Sequence, residues 1–245
     1  MKFLIQKING EILHDFSFTL LESIKFLKWS SNGLTHVIID YLDFENDNND
    51  SWVFESTHGR HIPIGSVEFV SAWFKYFYNH TPLPINVPNE LLNYGYRKIF
   101  NGDENSLPKS DSDFFVKSND KIKSFTEIVN SEHSLIKGNY QISELIEIDS
   151  EWRCFVYKGE LVGLQNYSGD FKMFPNLEEI NYMIKAYTES PIAYTLDVGV
   201  HDERTFVIEV HDFFSCGLYG FSDHKRLPFM HIRWHDEYAN KLKLS

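Results

Sequence analysis

The feature that most constrains this chain is a pair of strand-like runs near its C-terminus. Ala193–Val200 and Thr205–Val210 alternate apolar and polar residues around the turn-rich stretch His201-Asp202-Glu203-Arg204, a pattern that predicts a β-hairpin. Asp197 lies on the first arm and Glu209 at the end of the second, so antiparallel pairing about that turn can bring both carboxylates to one face. His211 and Asp212 follow directly. Carboxylates on both arms, with further ligand-type side chains beside one of them, suit a divalent cation that carries phosphates. Taken alone, the pattern fits a solvated hairpin with acidic outer positions as well.

A chain of 245 residues, 42% hydrophobic and 16% aromatic, is long enough for one large domain or two smaller ones and buries a substantial core. The formal net charge of −12 opposes broad nucleic-acid binding, which needs clustered Lys and Arg against phosphates. The two cysteines, Cys154 and Cys216, have no metal-type spacing and suggest no disulfide framework, so a reducing compartment is expected. Met1–Ile8 is too short, and too interrupted by Lys2, Gln6 and Lys7, for a secretory signal. With no apolar run of about 18 residues, no membrane span is expected; the cytoplasm is the default location.

Residues 1–110 read as a mixed α/β unit. Strands are expected over Met1–Ile8 and Thr35–Tyr41, a helix over Leu20–Trp29, and a polar loop over Glu45–Asp50. Ser66 is placed to cap a helix running to about Tyr78. A Pro-rich connector, Thr81–Pro88, precedes an expected helix over Asn89–Phe100. Asn101–Asp113, rich in Asn, Asp, Gly, Pro and Ser, is the candidate domain boundary. The remainder, 111–245, is strand-rich: Phe114–Lys117, residues 124–129, Tyr140–Ile148, and a hairpin turning at Lys158-Gly159. An amphipathic helix, Asn176–Tyr187, precedes the acidic hairpin, and a helical segment over about Pro228–Asn240 closes the chain.

Several side chains along this second half carry chemistry. Lys117 emerges at a strand end, with Lys121 and Lys123 in the polar turn after it, and a lysine so placed delivers a compact positive charge to a phosphate. Glu144 closes a strand whose connector, from Leu145 on, offers backbone groups to a purine edge while the carboxylate takes ribose hydroxyls. Arg153, two residues after Glu151, presents a bidentate fork to phosphate or carboxylate oxygens, or pairs structurally with that acid. Arg97 is a candidate for an acidic substrate and equally for a surface ion pair. Gly217-Leu-Tyr219-Gly220 forms a segment able to close over a substrate. His231 and His235 have the i, i+4 spacing of two zinc ligands but no third ligand nearby in sequence.

Taken in order, FVK, KIKSFTE, YQISEL, EWRCFV, LDVGV and IEVHD resemble the motifs of the ATP-grasp superfamily. The likeness is greatest to its clade of small stand-alone proteins linked to peptide synthesis and modification, and covers about residues 60–222. The resemblance implies an α+β fold: two lobes with antiparallel sheets, preceded by a small α/β domain. It also implies ATP and Mg²⁺, or Mn²⁺, as cofactors. By position, Lys117 falls at the adenine side and α-phosphate, and Lys123 in the turn covering the phosphates. Glu144 and Leu145 fall at the nucleotide hinge, and Asp197, Glu209 and His211 at the metal. Arg153 and Lys123 are the catalytic cations, with Arg97 and Tyr219 toward the substrate. The implied reaction joins a carboxylate to an amine on a peptide, protein terminus or amino acid. Three positions depart from the motifs: Ser118 stands for proline, Glu127, an acid near the phosphates, for glycine, and His211 for asparagine. A catalytically silent nucleotide-binding or protein-interaction module on the same fold is the alternative.

Overall fold

The computed structural model describes residues 2–30, 38–44, 53–122 and 124–244. It divides into two units, one formed by Met1–Pro82, Pro191–Ala193 and Phe213–Ser245, the other by Leu83–Ser190 and Tyr194–Asp212.

The first unit is built on a parallel sheet of three strands, β1 (Lys2–Ile8), β2 (Ile38–Phe44) and β3 (His61–Ile64), in the order β2-β1-β3. Parallel strands are covered on both faces, and Phe3, Leu4 and Ile5 of the central strand are accordingly fully buried. Helix α1 (Asp15–Trp29) places Phe16, Leu20, Ile24 and Leu27 on one buried side, the spacing of an apolar stripe. Helix α2 (Val67–Tyr78) begins where the sequence predicts. The Ser66 hydroxyl accepts from Phe69 N at 3.2 Å, and Asn79 ends the helix in the left-handed conformation. A C-terminal helix, Leu227–Leu244, is longer than expected and belongs to this unit. Its His231 and His235 are buried against aromatic rings, His231 against Phe213 and His235 against Trp73 and Phe74. They are core histidines, and no metal group among the described residues includes them. Of the expected elements, residues 35–37 and the loop Glu45–Asp50 lie outside the described residues.

The second unit holds two four-stranded sheets. One contains β4 (Ile99–Asp103), β5 (Phe114–Ser118), β6 (Thr126–Val129) and β7 (Asn139–Glu144) in the order β4-β7-β5-β6, antiparallel throughout. The other contains β8 (Ser150–Tyr157), β9 (Glu160–Gly169), β10 (Ala193–His201) and β11 (Arg204–Asp212) in the order β11-β10-β8-β9. The sequence expectation of a helix over Asn89–Phe100 fails. A 3-10 turn spans Asn89–Tyr94, Tyr96 takes a left-handed φ of 50°, and the chain then enters β4. A left-handed residue ends any right-handed helix, and pairing with β7 claims the residues beyond it. Asn101–Asp113 runs inside this unit, from the end of β4 to the start of β5.

Alternation sorts each sheet into an apolar and a polar face. Trp152, Cys154, Leu196, Val198, Val207 and Val210 pack with Ile180, Met183 and Ile184 of helix α3 (Leu177–Ala186) in one core. Asn176 caps α3 through its side chain, which accepts from Glu178 N at 2.8 Å. In the other sheet Phe114, Val116, Tyr140 and Ile142 form a second core. The residues in between, Lys117 and Gln141 on one sheet, Arg153, Asp197 and Glu209 on the other, are left for the opposite faces.

Candidate active site

The hairpin β10–β11 supplies the anionic half of the site. Its loop, Asp202-Glu203, has both residues at positive φ, 48° and 62°, the two-residue hairpin geometry that matches strand twist. Counting outward from that loop in regular register would set Asp197 opposite Ile208 and turn Glu209 toward the helix-covered face. The register instead shifts between Asp197 and Val198, so that Asp197 pairs with Glu209 and Thr195 with His211. Ile208 is the extra residue of a β-bulge, and a one-residue change of register exchanges the faces of everything beyond it. The bulge therefore puts Asp197, Glu209 and His211 on one side.

Cations from two other strands meet these groups. Arg153 of β8 forms a bidentate pair with Asp197, Nε to Oδ1 at 2.8 Å and Nη2 to Oδ2 at 2.7 Å. Both partners are buried, at 7% and 1% exposure. Lys117 of β5 donates to Glu209 Oε2, so the polar faces of the two sheets meet at this contact. His211 Nε2 lies 2.7 Å from Glu209 Oε1. Burial lowers the Lys117 pKa to about 8, with Asp197 and Glu151 opposing and Arg97 adding to the shift. Burial likewise lowers His211 to about 4, opposed by Asp197 and reinforced by Arg153 and Lys117. Its side chain is still 35% exposed, so water moderates the effect, but the direction leaves the ring neutral at pH 7. A neutral imidazole has a lone pair to offer a metal.

One ligand atom from each of Asp197, Glu209 and His211 lies within 4.8 Å of the other two. Donors held about 2.0–2.2 Å from one ion are at most about 4.4 Å apart, so small rotamer changes close the set. A carboxylate oxygen that accepts one hydrogen bond keeps a lone pair, and the Arg153 and Lys117 contacts do not exhaust Asp197 and Glu209. These residues fit a divalent cation. Two carboxylates with an imidazole form a softer set than the all-oxygen cage Mg²⁺ prefers.

The other expected residues are distributed as follows. Glu144 ends β7, where its Oε2 accepts from Lys98 N at 2.9 Å and its own N–H donates to Lys98 O at 3.0 Å; Leu145 beside it is 47% exposed. Arg97, expected on a helix surface, is in the irregular segment before β4. Its Nη1 donates to Gly95 O and Val207 O, each at 3.0 Å, and burial lowers its pKa to about 10. Among the described residues it forms no ion pair of the kind the helix reading offered. Glu151 does not pair with Arg153: it accepts from the Tyr167 hydroxyl at 2.8 Å. Glu127, expected near the phosphates, pairs with Val116, whereas Lys117 pairs with Thr126. It thus stands on the face away from Lys117. Tyr219 belongs to the first unit, in a turn closed by Phe221 N donating to Leu218 O at 2.8 Å. Lys123 lies outside the described residues.

Two residues escaped the sequence reading. Tyr167 is the extra residue of a bulge in β9, between the Glu151–Ser168 and Trp152–Asn166 pairs, and its ring lies 5.7 Å from the Arg153 guanidinium. Nothing in the alternation of β9 announces that bulge. Gln141 stands opposite Lys117 in β7, buried, with its amide bonded to both N and O of Val87 at 2.9 and 2.8 Å. A buried glutamine in an apolar strand was the available signal, since such a group must find partners.

Comparison with known proteins places this arrangement. No curated protein matches the sequence. Among solved structures, D-alanine–D-alanine ligase from Bacillus anthracis superposes with a TM-score of 0.55 at 11% identity, covering 98% of this chain and 99% of that one. D-cycloserine synthetase DcsG superposes with a TM-score of 0.54 at 12% identity, covering 96% and 100%. At such identities the likeness is one of fold. The family model described as ATP-grasp domain, R2K clade family 2, matches residues 94–227, more than half of the chain and every residue of the charged set. With two antiparallel sheets meeting at Lys117 and Glu209, the protein belongs to the R2K clade of ATP-grasp proteins.

Proposed function

We propose that the protein is an ATP-dependent carboxylate–amine ligase. The single observation that carries this reading is the Lys117–Glu209 contact between two polar sheet faces, beside the Arg153–Asp197 pair and His211. Asp197, Glu209, Arg153 and Lys117 sum to zero charge around a neutral imidazole, and Glu151, Arg97 and Asp212 also act on this set. Lys117 turns from Glu209 to the nucleotide phosphates, and the backbone at Glu144 and Leu145 takes the base. Asp197, Glu209 and His211 hold the divalent ion, which supplies charge neutralisation on the phosphates. Lys123 and Arg153 provide positive charge where the phosphoryl group is transferred, Arg153 held in orientation by both oxygens of Asp197.

In the first step a substrate carboxylate oxygen attacks the γ-phosphorus, the bond to the bridging oxygen breaks, and ADP leaves with that electron pair. The amine then attacks the acyl carbon, phosphate departs, and the amine loses a proton. Positioning and charge stabilisation carry most of such chemistry. Clade membership supports a peptide, protein terminus or amino acid as substrate, with Arg97 as the contact for an acidic group. A binding module without turnover is the second reading. It is favoured by the fact that both carboxylates already have protein cations and need no ligand for charge balance.

Calorimetric titration with ATP in Mg²⁺ and in Mn²⁺, followed by mass spectrometry of products from a peptide and amino-acid panel, tests the proposal. Nucleotide binding lost in Lys117→Ala, tighter binding with Mn²⁺ than Mg²⁺, and a preference moved toward Mg²⁺ in His211→Asn are expected. Binding without any condensed product supports the module in its nucleotide-binding form, and wild-type protein that binds no nucleotide with either metal ends the ligase reading and leaves a protein-interaction module.

A further inference from the structure

The connector before the 3-10 turn contains one residue that touches both halves of the charged set through their neighbours. Asn86 is 5% exposed and left-handed, with φ 54°. Its carbonyl accepts from Val210 N at 2.7 Å, and Val210 sits between Glu209 and His211. Its side-chain amide donates to Ser118 O at 3.1 Å and to Asn119 Oδ1 at 2.7 Å, and Ser118 follows Lys117. A main-chain carbonyl can only accept, which fixes the amide nitrogen on that side. Val87, the next residue, is held on both N and O by Gln141, which stands opposite Lys117. Asn119 in turn donates to Asn101 Oδ1 at 3.1 Å.

We infer that Asn86 is a positioning residue that clamps the Lys117 strand to the Glu209–His211 strand. It thereby sets the separation between the lysine that meets the nucleotide and the metal-holding carboxylate and imidazole. The inference rests on the nucleotide-site reading above. Neither β5 nor β11 neighbours the other within a sheet, so no ladder hydrogen bond fixes their spacing. Asn86 supplies one link of main-chain type to β11 and one of side-chain type to β5. Asparagine suits the position because its short amide tolerates a left-handed backbone and carries two N–H donors for two acceptors. The metal set, by contrast, is contained in β10–β11 and does not depend on β5. Lys117 competes with a metal for Glu209, so slackening the clamp leaves metal binding intact or strengthens it while nucleotide binding weakens. A general loss of structure cannot move the two in opposite directions.

Asn86→Gly removes the side-chain link but keeps the left-handed backbone and the bond to Val210. The measurements are Mn²⁺ binding alone, by electron paramagnetic resonance, and binding of a non-hydrolysable ATP analogue with Mn²⁺, by calorimetry, on wild type and variant. Expected are Mn²⁺ affinity equal to or above wild type and analogue affinity about tenfold lower, the effect of two lost hydrogen bonds. Asn86→Asp, which turns carboxylate oxygens toward Ser118 O, is expected to lose more. Unchanged analogue affinity in Asn86→Gly, or a parallel fall in Mn²⁺ affinity, overturns the clamp while the site reading stands. Wild-type protein that binds no analogue overturns both. Circular dichroism showing that both variants fail to fold also overturns the inference, because Asn86 then serves the fold as a whole.

Discussion

Among single residues, Arg153 is the one whose loss is most consequential for stability. It places a guanidinium over a carboxylate that is 1% exposed, with two parallel hydrogen bonds. Replacing it leaves Asp197 buried and charged without its bidentate partner, a situation that costs about 3–5 kcal/mol. Arg153→Ala is therefore expected to lower the urea midpoint by that free energy with little change in slope, and Asp197→Asn, Arg153→Met together to recover part of it. A loss below about 1 kcal/mol, the range of exposed pairs, would show that the site is wetter than its burial indicates. The chemical type of Arg153, Asp197, Glu209 and Lys117 is readable in the sequence as ligand-type side chains on strands. Their pairing is not: the sequence offers Arg153 a phosphate, a carboxylate or a structural pair with Glu151, and the fold gives Arg153 to Asp197 and Glu151 to Tyr167.

The decisive feature among the elements is the bulge at Ile208. Strand periodicity made the hairpin legible from residue types alone, down to its turn. Whether Glu209 faces Asp197 or the helix-covered core depends on one unpaired residue, and alternation does not reveal it. Deleting Ile208 joins Val207 to Glu209 and restores regular pairing with Asp197 still opposite Glu209. The deletion is thus expected to retain Mn²⁺ binding, whereas an alanine inserted after Glu209 moves His211 from opposite Thr195 to opposite Tyr194, turns it to the helix-covered face and weakens binding. Electron paramagnetic resonance titration of the two proteins decides; equal loss in both would remove the register argument. Helix starts depend on nearer neighbours. Ser66 caps the helix expected of it, because a capping side chain is a local signal, and the helix expected from Asn176 begins at Leu177 with Asn176 as its cap. The expected helix over Asn89–Phe100 failed because pairing of β4 with β7 outweighed local propensity.

Over the whole molecule, chain order and spatial grouping part company. The first unit gathers residues from both ends of the chain, and the C-terminal helix buries Leu227, Met230, Ile232 and Trp234 in it. Among the described residues no helix is long and apolar enough to cross a membrane. The same helix carries His231, whose pKa burial lowers from 6.5 to about 3, partly opposed by a bond with the Phe213 backbone. The folded state therefore refuses a proton that the unfolded chain accepts below pH 6.5, so stability falls as pH drops from 6.5 toward 3. At pH 5 the loss amounts to about 2 kcal/mol, from 1.36 kcal/mol per unit. Urea unfolding of wild type and His231→Gln between pH 7 and 4 is expected to show a shallower decline in the variant. Parallel curves would mean that His231 takes up a proton in the folded state.

The sequence by itself determined what depends on near neighbours along the chain: alternation, caps, the hairpin turn, and the six ordered motifs with their family. Tertiary structure alone decided which charges neutralise each other, which face Glu209 and Glu127 occupy, and which residues share a unit. Those outcomes turn on contacts between strands distant in sequence, such as Lys117 with Glu209. There a shift of one residue reverses every side chain, and composition holds no record of the shift.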